Sequence, residues 1–416
     1  TRVLAKLKKQ SDYYNQHKRT VGDFIDDVSE MGWSAAVADR KMWAEMKMSP
    51  TDLADVSGYT YTYLMNGQAP DGNWTGIFKP GEKIRLRFIN ASAMTYFDVR
   101  IPGLKMTVVA ADGLHVKPVS VDEFRIAVAE TYDVIVEPDS EQAYTVFAQS
   151  MDRTGYARGT LAVQEGLSAP VPSPDPRPLI AMGDMGMDHG SMGGMDHGNM
   201  VGMDQGNMAG MDHGSMQGGM AGMDHSQMAG MDHSGMAGMA GNMQAHPASE
   251  TNNPLVDMQT MTPTHKLDDP GIGLRDNGRR VLTYSDLRST FPDPDGREPS
   301  RTIELHLTGH MEKFSWSFDG IKFSDAEPLR LKYGERVRIT LVNDTMMTHP
   351  IHLHGMWSDL EDANGNFLVR KHTIDMPPGS KRSYRVTADA LGRWAYHCHL
   401  LLHMEMGMFR EVRVDE

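Results

Sequence analysis

The sequence predicts an all-β protein with two β-sandwich domains, a helical N-terminal segment and a methionine-rich insert that we expect to be disordered. Short segments rich in β-branched and aromatic residues, broken by Gly, Pro, Asn or Asp, fill residues 58–165, and the same pattern returns over residues 301–416. Residues 80–90 (PGEKIRLRFIN) also align with residues 333–343 (YGERVRITLVN). This internal repeat indicates two copies of one domain.

Residues 1–57 are predicted to be a helical connector. One amphipathic stretch runs from the N-terminus to Arg19, and a second helix is expected over residues 34–48. The Ser49-Pro50 pair that follows is a typical helix stop, because proline cannot donate the next helical hydrogen bond.

Residues 58–165 are predicted to form a structural sandwich without metal ligands. The only histidine in this range, His115, follows a turn-like Asp-Gly pair, which favours a solvated or packing role. The expected strands are YTYTYLMNG (59–67), KIRLRFIN (83–90), FDVRI (97–101), MTVVAADG (106–113), DEFRIAV (122–128), YDVIVEP (132–138) and AYTVFAQS (143–150).

Residues 166–300 are predicted to be a linker that contains a low-complexity repeat over residues 182–243. The repeated unit is Met-Asp-His-Gly/Ser-x-Met-x-Gly, with a spacing of eight residues except for one longer step. A period of eight fits neither a helix nor a buried strand, and glycine recurs throughout, so the segment should be flexible.

Composition excludes several classes of protein. The formal net charge of −14 argues against binding to nucleic acid or to an anionic membrane surface. The chain also lacks any run of eighteen apolar residues, the length that a membrane-spanning helix needs. The chain has one cysteine, Cys398, which therefore cannot form an internal disulfide.

Two histidine clusters near the C-terminus indicate copper. The first is His349-Pro-Ile-His352-Leu-His354, and the second is His397-Cys398-His399 followed by His403 and Met408. A thiolate with two imidazoles and a weak thioether is the ligand set of a blue-copper centre. The alternatives are ordinary packed histidines or a zinc site. Zinc sites usually close a tetrahedron of four ligands, and here there are too many imidazoles and only one thiolate.

The alternation of side chains along a strand sorts these ligands into two groups. If residues 349–354 and 397–399 are extended, one group faces one way and can close around a single copper; its members are His349, Cys398, His403 and Met408. The other group is entirely imidazole and suits further copper ions that bind oxygen; its members are His352, His354, His397 and His399. Cys398 would join the two sites through its peptide bonds.

The two motifs, HPIHLHG and HCHLLLHMEMGM, resemble the third-domain copper signatures of multicopper oxidases. Beyond them, the chain resembles the bacterial periplasmic copper-resistance oxidases of the CopA/PcoA type over essentially all 416 residues. Segments such as SDYYNQHKRTVGDF, KMWAEMKMSPTDLADV and YTYLMNGQAP carry this closer similarity.

The resemblance implies cupredoxin-like (Greek-key) domains and three kinds of copper centre. Type 1 ligands would be His349, Cys398, His403 and Met408, with His403 nearest to solvent. His352 would be a type 2 ligand, and the type 3 ligands would be His354, His397 and His399. The implied reaction takes place in the periplasm. Cu(I) or a phenol-like reductant would be oxidised at the type 1 copper, and dioxygen would be reduced to water at a trinuclear cluster. Electrons would pass through His397, Cys398 and His399.

The sequence supplies only half of the eight histidines that this family uses for its trinuclear cluster. No His-x-His pair precedes His352, and the chain begins at Thr1. We therefore expect that a first cupredoxin domain, in cis or on another chain, provides the other pairs, and that this chain alone is inactive.

Two other functions are compatible with parts of the sequence. A copper-sequestering protein could work through the repeat alone, because thioethers bind Cu(I) and nearby His and Asp can hold Cu(II). A simple Gly-rich tether is the alternative for that segment. A two-domain nitrite reductase is a third possibility, although the paired imidazoles on both sides of Cys398 favour an oxygen-reducing cluster.

Overall fold

The computed structural model describes residues 2–187 and 243–416. Within these residues four α-helices and twenty β-strands form, with short 3-10 turns between them. The helices are α1 (Arg2–Leu7), α2 (Val21–Met31), α3 (Trp33–Glu45) and α4 (Leu401–Glu405). Among the described helices, none combines the length and apolar character that crossing a membrane requires.

The N-terminal segment is less helical than expected. Residues 8–19 form turns and coil, and within them the Asn15 Oδ1 accepts from the His17 amide at 3.0 Å, a local bond that competes with helix formation. The helix expected over residues 34–48 begins at Trp33 and ends at Glu45. Its C-terminus precedes Pro50 because Lys47 adopts a left-handed conformation, with φ of 55°.

The first sandwich consists of a five-stranded sheet, in the order β1-β9-β8-β3-β6, and a four-stranded sheet, in the order β2-β7-β4-β5. Its strands are β1 (Trp74–Ile77), β2 (Ile84–Ile89), β3 (Phe97–Arg100), β4 (Met106–Ala111), β5 (Leu114–Val121), β6 (Glu123–Ile126), β7 (Thr131–Val136), β8 (Tyr144–Ser150) and β9 (Tyr156–Ala162).

The second sandwich has a six-stranded sheet, in the order β11-β10-β13-β18-β15-β16, and a five-stranded sheet, in the order β12-β20-β19-β14-β17. Its strands are β10 (Arg301–His310), β11 (Ser315–Phe318), β12 (Leu329–Lys332), β13 (Arg336–Asn343), β14 (His349–Leu353), β15 (Ser358–Glu361), β16 (Phe367–Lys371), β17 (Thr373–Met376), β18 (Lys381–Thr387), β19 (Gly392–Cys398) and β20 (Phe409–Asp415). The prediction of an all-β fold with two cupredoxin-like domains is confirmed.

The internal repeat is visible in matching hydrogen bonds at the ends of β2 and β13. The Asn90 side chain donates to the carbonyls of Thr95 and Ile126, at 2.8 and 3.0 Å. The equivalent Asn343 donates to the carbonyls of Met347 and Met376, at 2.8 Å each. Both asparagines therefore hold the same kind of loop, which in the second sandwich leads directly into β14 and its histidines.

Two details of the first sandwich correct the sequence analysis. Residues 59–64 do not form a strand, because Thr60 and Tyr61 both bond back to the Ser57 carbonyl and Tyr63 packs edge-on against Phe97. His115 lies on β5 rather than in the turn-like stretch, although its exposure agrees with the solvated role expected of it. Strands β1, β5 and β9 had no clear sequence signal.

The described parts of the predicted linker are packed rather than extended. Ile180, Met185, Leu282 and Leu287 are buried in the hydrophobic core. Isolated bridges join this segment to both sandwiches, for example Val281 with Glu123 and Thr264 with Ser380. Most of the methionine-rich repeat lies in residues 188–242, outside the described residues, so its predicted disorder is untested, and the predicted domain boundaries likewise stay predictions.

Candidate metal centres

One buried pocket brings together three of the predicted ligands. His349 begins β14, Cys398 ends β19 and His403 lies on α4, and all three are completely buried. The His349 and His403 Nδ1 atoms lie 3.1 Å apart, and the Cys398 Sγ lies 3.5 Å from the first and 3.9 Å from the second.

Met408 is also fully buried, and backbone hydrogen bonds tie it to the same pocket. Its carbonyl accepts from the Cys398 amide at 3.1 Å, and its amide donates to the His403 carbonyl at 3.1 Å. The loop from residue 398 to residue 408 is thereby closed on itself, which accounts for the ten-residue spacing in the motif.

The hydrogen bonds around this pocket leave the Nδ1 lone pairs of His349 and His403 directed into it. The His349 Nε2 lies 2.7 Å from the Thr345 hydroxyl, and the His403 Nε2 lies 2.7 Å from Asp55 Oδ2. Because a carboxylate only accepts and the Thr345 hydroxyl already donates to Asn343 or Met347, each Nε2 carries the proton and each Nδ1 presents a lone pair. Two such nitrogens beside a sulfur suit a soft or borderline cation.

Burial sets the protonation of the pocket. Burial, with a smaller effect from His403, lowers the pKa of His349 well below its usual range, so this imidazole stays neutral. Burial raises the pKa of the Cys398 thiol well above its usual range. A bound cation would reverse that last effect, because a coordinated thiol is deprotonated.

His403 is not the solvent-facing ligand that the sequence analysis expected. Trp316 stacks on its ring at 3.9 Å between centroids, and Asp55 covers its Nε2. Asp55 comes from the N-terminal segment, 348 residues away in the chain. No motif around Asp55 signals this role, so sequence reasoning could not identify it.

The four remaining predicted ligands form a second cluster. Ring centroids lie 4.7 Å apart for His352 and His354, 5.2 Å for His354 and His397, and 5.4 Å for His397 and His399. His354 Nε2 and His397 Nε2 approach to 3.1 Å. As the strand periodicity predicted, this cluster is separate from the Cys398 side chain.

Two of these imidazoles are oriented by their Nδ1 atoms. The His352 Nδ1 lies 2.6 Å from the His372 carbonyl, and the His397 Nδ1 lies 2.9 Å from the Cys398 carbonyl. A carbonyl only accepts, so each Nδ1 donates and each Nε2 is available as a ligand atom. Burial lowers the pKa of His352 and of His397 to about 4, so both are neutral at pH 7.

The first sandwich helps to position this cluster through Asp112. Its Oδ2 accepts from the amides of His372 and Thr373, at 3.1 and 3.2 Å, and so places the carbonyl that orients His352. Lys371 forms buried ion pairs with Asp112 at 2.9 Å and with Glu130 at 3.1 Å. Sequence reasoning missed Asp112 and His372 because neither belongs to a spaced motif.

The second cluster opens onto a cleft on one side. His354 is exposed and His352 and His399 are half-buried, and Trp357 and His372 line the same cleft. Three of the four imidazoles, those of His352, His354 and His399, line this cleft, and the four together can supply only part of the coordination of several metal ions. The geometry therefore leaves room for ligands from a facing surface.

Comparisons with known proteins agree with this arrangement. Residues 28–166 and 296–416 match multicopper oxidase family models. The whole chain is 81% identical to copper resistance protein A of Pseudomonas syringae pv. tomato and 77% identical to copper resistance protein A of Escherichia coli, covering 69% of each.

Solved structures agree at the level of the fold. Fet3p, described as a multicopper oxidase that functions in iron import, superposes with a TM-score of 0.51 at 16% identity, over 82% of this chain and 57% of that one. This identity is low enough that the likeness concerns the fold alone. The chain thus spans about two thirds of the length of these copper resistance relatives and a smaller share of Fet3p.

Proposed function

The chain belongs to the multicopper oxidase family, and we propose that it carries a complete type 1 copper site and one half of a trinuclear copper site. It is an oxidoreductase of copper resistance with copper as its cofactor. The type 1 ligands are His349, Cys398, His403 and Met408; the ligands of the half cluster are His352 for type 2 copper and His354, His397 and His399 for type 3 copper.

The observation that carries this proposal is the position of Cys398 between the two groups of imidazoles. Its side chain lies with His349 and His403, while its neighbours His397 and His399 lie in the second cluster. Copper bound at these sites would accept electrons singly and deliver them to dioxygen, giving water. The peptide bonds on both sides of Cys398 then provide the short covalent path between the sites.

A small pocket beside the type 1 site is suited to Cu(I) as the reductant. Buried Met94, Met151 and Met347 line it together with Asp55 and Asp152. Thioethers bind Cu(I) in preference to hard cations, and carboxylates favour the Cu(II) product. Because Asp55 contacts His403 directly, an electron given up in this pocket would enter the type 1 site through that histidine.

The remaining ligands of the trinuclear site come from outside this chain. Dioxygen is the second substrate, and a first cupredoxin domain in cis, or another chain, supplies the four further histidines across the open cleft. The repeat of residues 182–243 collects Cu(I) by its thioethers and raises its local concentration. We place the protein in the periplasm, where oxidation to Cu(II) would limit copper entry to the cytoplasm. The copper-sequestering alternative is not favoured by the comparisons.

Copper loading of the 416-residue chain tests the type 1 assignment. We expect an intense blue absorption from thiolate-to-Cu(II) charge transfer, and its loss in Cys398→Ser. The equally buried Met106→Leu change in the first sandwich is the control and should keep the colour. A colourless copper-loaded wild-type chain would overturn the assignment.

Oxygen uptake with Cu(I) tests the oxidase itself. The chain alone should not turn over dioxygen, and the longer protein with two more His-x-His pairs should do so. In that longer protein, Met94→Leu with Met347→Leu should raise the KM for Cu(I) while leaving phenol oxidation unchanged. If the 416-residue chain alone reduces dioxygen at a normal rate, the proposal that half of the trinuclear-site ligands lie outside this chain is wrong.

Replacing every methionine of residues 188–242 with serine, at constant length, tests the repeat. If the repeat collects Cu(I), oxidation should slow at limiting copper only, and phenol oxidation should not change. Equal Cu(I) oxidation in both proteins would support the simple tether.

A further inference from the structure

A second group of metal-ligating side chains lies apart from the copper sites. It consists of His246, Glu250, His306 and Asp344, whose ligand atoms all lie within 4.8 Å of one another. His306 is on β10 and Asp344 directly follows β13, while Glu250 ends a 3-10 turn that follows His246. Glu250, His306 and Asp344 are at most 3% exposed.

Hydrogen bonds on the outer side of this group fix its orientation. The His246 Nε2 lies 3.0 Å from the Thr260 carbonyl, so this nitrogen donates outward and the Nδ1 is the ring atom that faces the rest of the group. Asp344 Oδ1 accepts from the Thr260 amide at 2.7 Å, and Glu250 Oε2 accepts from the Gln259 side chain at 2.7 Å. Such outer contacts are typical of metal ligands that are held in place.

Within the described part of the chain, two polar atoms on the inner side of the group lack hydrogen-bond partners, whereas His306 Nδ1 and Asp344 Oδ2 are hydrogen-bonded to each other. Buried His246 Nδ1 and Glu250 Oε1 form no hydrogen bond in the described residues. The His246 Nδ1 faces Glu250 Oε2 at 3.3 Å and Asp344 Oδ2 at 3.2 Å. A lone pair held against two carboxylates is unfavourable unless a cation or a proton lies between them.

The distances fit a metal ion. A tetrahedral ion with bonds of about 2.0–2.1 Å places its ligand atoms about 3.4 Å apart. Here the spacings are 3.2 Å from His246 Nδ1 to Asp344 Oδ2, 3.3 Å from His246 Nδ1 to Glu250 Oε2 and 3.7 Å from His306 Nδ1 to the other Glu250 oxygen, Oε1. His306 Nδ1 and Asp344 Oδ2 lie 2.6 Å apart in a hydrogen bond, so a bound ion would displace the proton between them and lengthen this spacing by less than 1 Å.

We propose that His246, Glu250, His306 and Asp344 form a binding site for a divalent transition-metal ion of borderline softness. Two imidazoles and two carboxylates suit Cu(II) or Zn(II) and do not suit Cu(I), which prefers sulfur. The site contains none of the residues assigned to the type 1 or trinuclear centres. It therefore adds a cation site that distinguishes oxidation states of copper, whether or not the oxidase proposal holds.

The alternative occupant of the group is protons. If both histidines are protonated, the same contacts become a buried network of ion pairs that ties the segment around residues 246–260 to β10 and β13. The two possibilities differ in one measurable respect, because only the metal site binds one equivalent of a divalent ion.

Equilibrium dialysis of the full chain against Zn(II), and separately against Cu(II), tests the proposal. We expect Glu250→Gln and His306→Asn each to bind one equivalent less than wild type. His115→Asn, which removes an exposed histidine from β5, is the matched control and should keep the wild-type stoichiometry. If the variants bind one equivalent less of Zn(II) or of Cu(II), the site is supported, and the ion concerned is the one that it accepts.

Thermal unfolding provides a second measurement that does not depend on counting ions at the repeat. Zn(II) should raise the Tm of wild type and of His115→Asn by the same amount, and should raise the Tm of Glu250→Gln by less. If a buried variant does not fold, His246→Asn, at the half-buried edge of the site, takes its place. The proposal is overturned if the variants fold, bind both ions with the wild-type stoichiometry and show the wild-type rise of Tm with Zn(II).

Discussion

Replacing Asp55 with asparagine should raise the reduction potential of the type 1 site. The Asp55 carboxylate lies 2.7 Å from the His403 Nε2, and both groups are buried. Asparagine has nearly the same shape but no charge, so the change removes a negative charge next to a ligand without leaving a cavity. With copper bound as proposed, the carboxylate would make His403 a stronger donor and would stabilise Cu(II) more than Cu(I).

The size of the shift in reduction potential can be worked out because Asp55 hydrogen-bonds a proposed ligand without itself binding copper. Loss of such a partner typically weakens metal binding by about 10- to 100-fold. If this loss falls on Cu(II), each factor of ten raises a one-electron potential by about 59 mV, which gives a rise of about 60–120 mV. The burial of the pair favours the upper part of this range, because water does not screen the charge.

Redox titration of the blue absorption band measures the shift. Asp52→Asn is the matched control, since Asp52 lies three residues earlier, is similarly buried and bonds Asn15 rather than a ligand. Burial raises the pKa of Asp52 to about 6, so the control also neutralises a buried acid. If Asp55→Asn leaves the potential unchanged, or if Asp52→Asn shifts it equally, the proposed action of Asp55 on His403 is wrong.

Three further predictions concern single side chains. Met408→Leu should keep the blue colour and raise the potential, because a weak axial donor is lost; loss of colour would contradict its axial role. Lys371→Met should lower the free energy of unfolding, measured in urea, by about 3–5 kcal/mol, because it leaves Asp112 and Glu130 without a buried counter-charge. The control is Lys83→Met, which removes an exposed ion pair and should lower the free energy of unfolding by at most about 1 kcal/mol. The metal-free chain should lose stability as the pH falls from about 6.5 toward 4, because burial lowers the pKa of His397 to about 4 and the unfolded chain takes up the proton first. His397→Asn should reduce the drop in Tm over this range, and an unchanged drop would show that other groups cause it.

Much of the candidate site follows from local sequence alone. Cys398 and its two neighbouring histidines lie on one strand, and side chains on a strand alternate with a period of two. The separation of His349 from His352 and His354 has the same cause, and the structure brings each group together as that alternation requires. The copper cofactor was predicted from these motifs, the family from the motifs and other segments, and the fold class from the strand patterns and the internal repeat; all three are confirmed.

Other properties depend on residues that are distant in the chain. Asp55 covers His403, Asp112 positions the carbonyl that orients His352, and His246 joins His306 and Asp344, in each case across dozens to hundreds of residues. No periodicity links such positions, because their approach is set by how the sheets and the connecting segments pack. The sequence by itself therefore determined the family and predicted which side chains would bind copper, through strand periodicity and ligand chemistry. Only the tertiary structure decided which candidate ligands are buried, which partner holds each imidazole and which side chains gather in the proposed further cation site, since long-range packing brings those groups together.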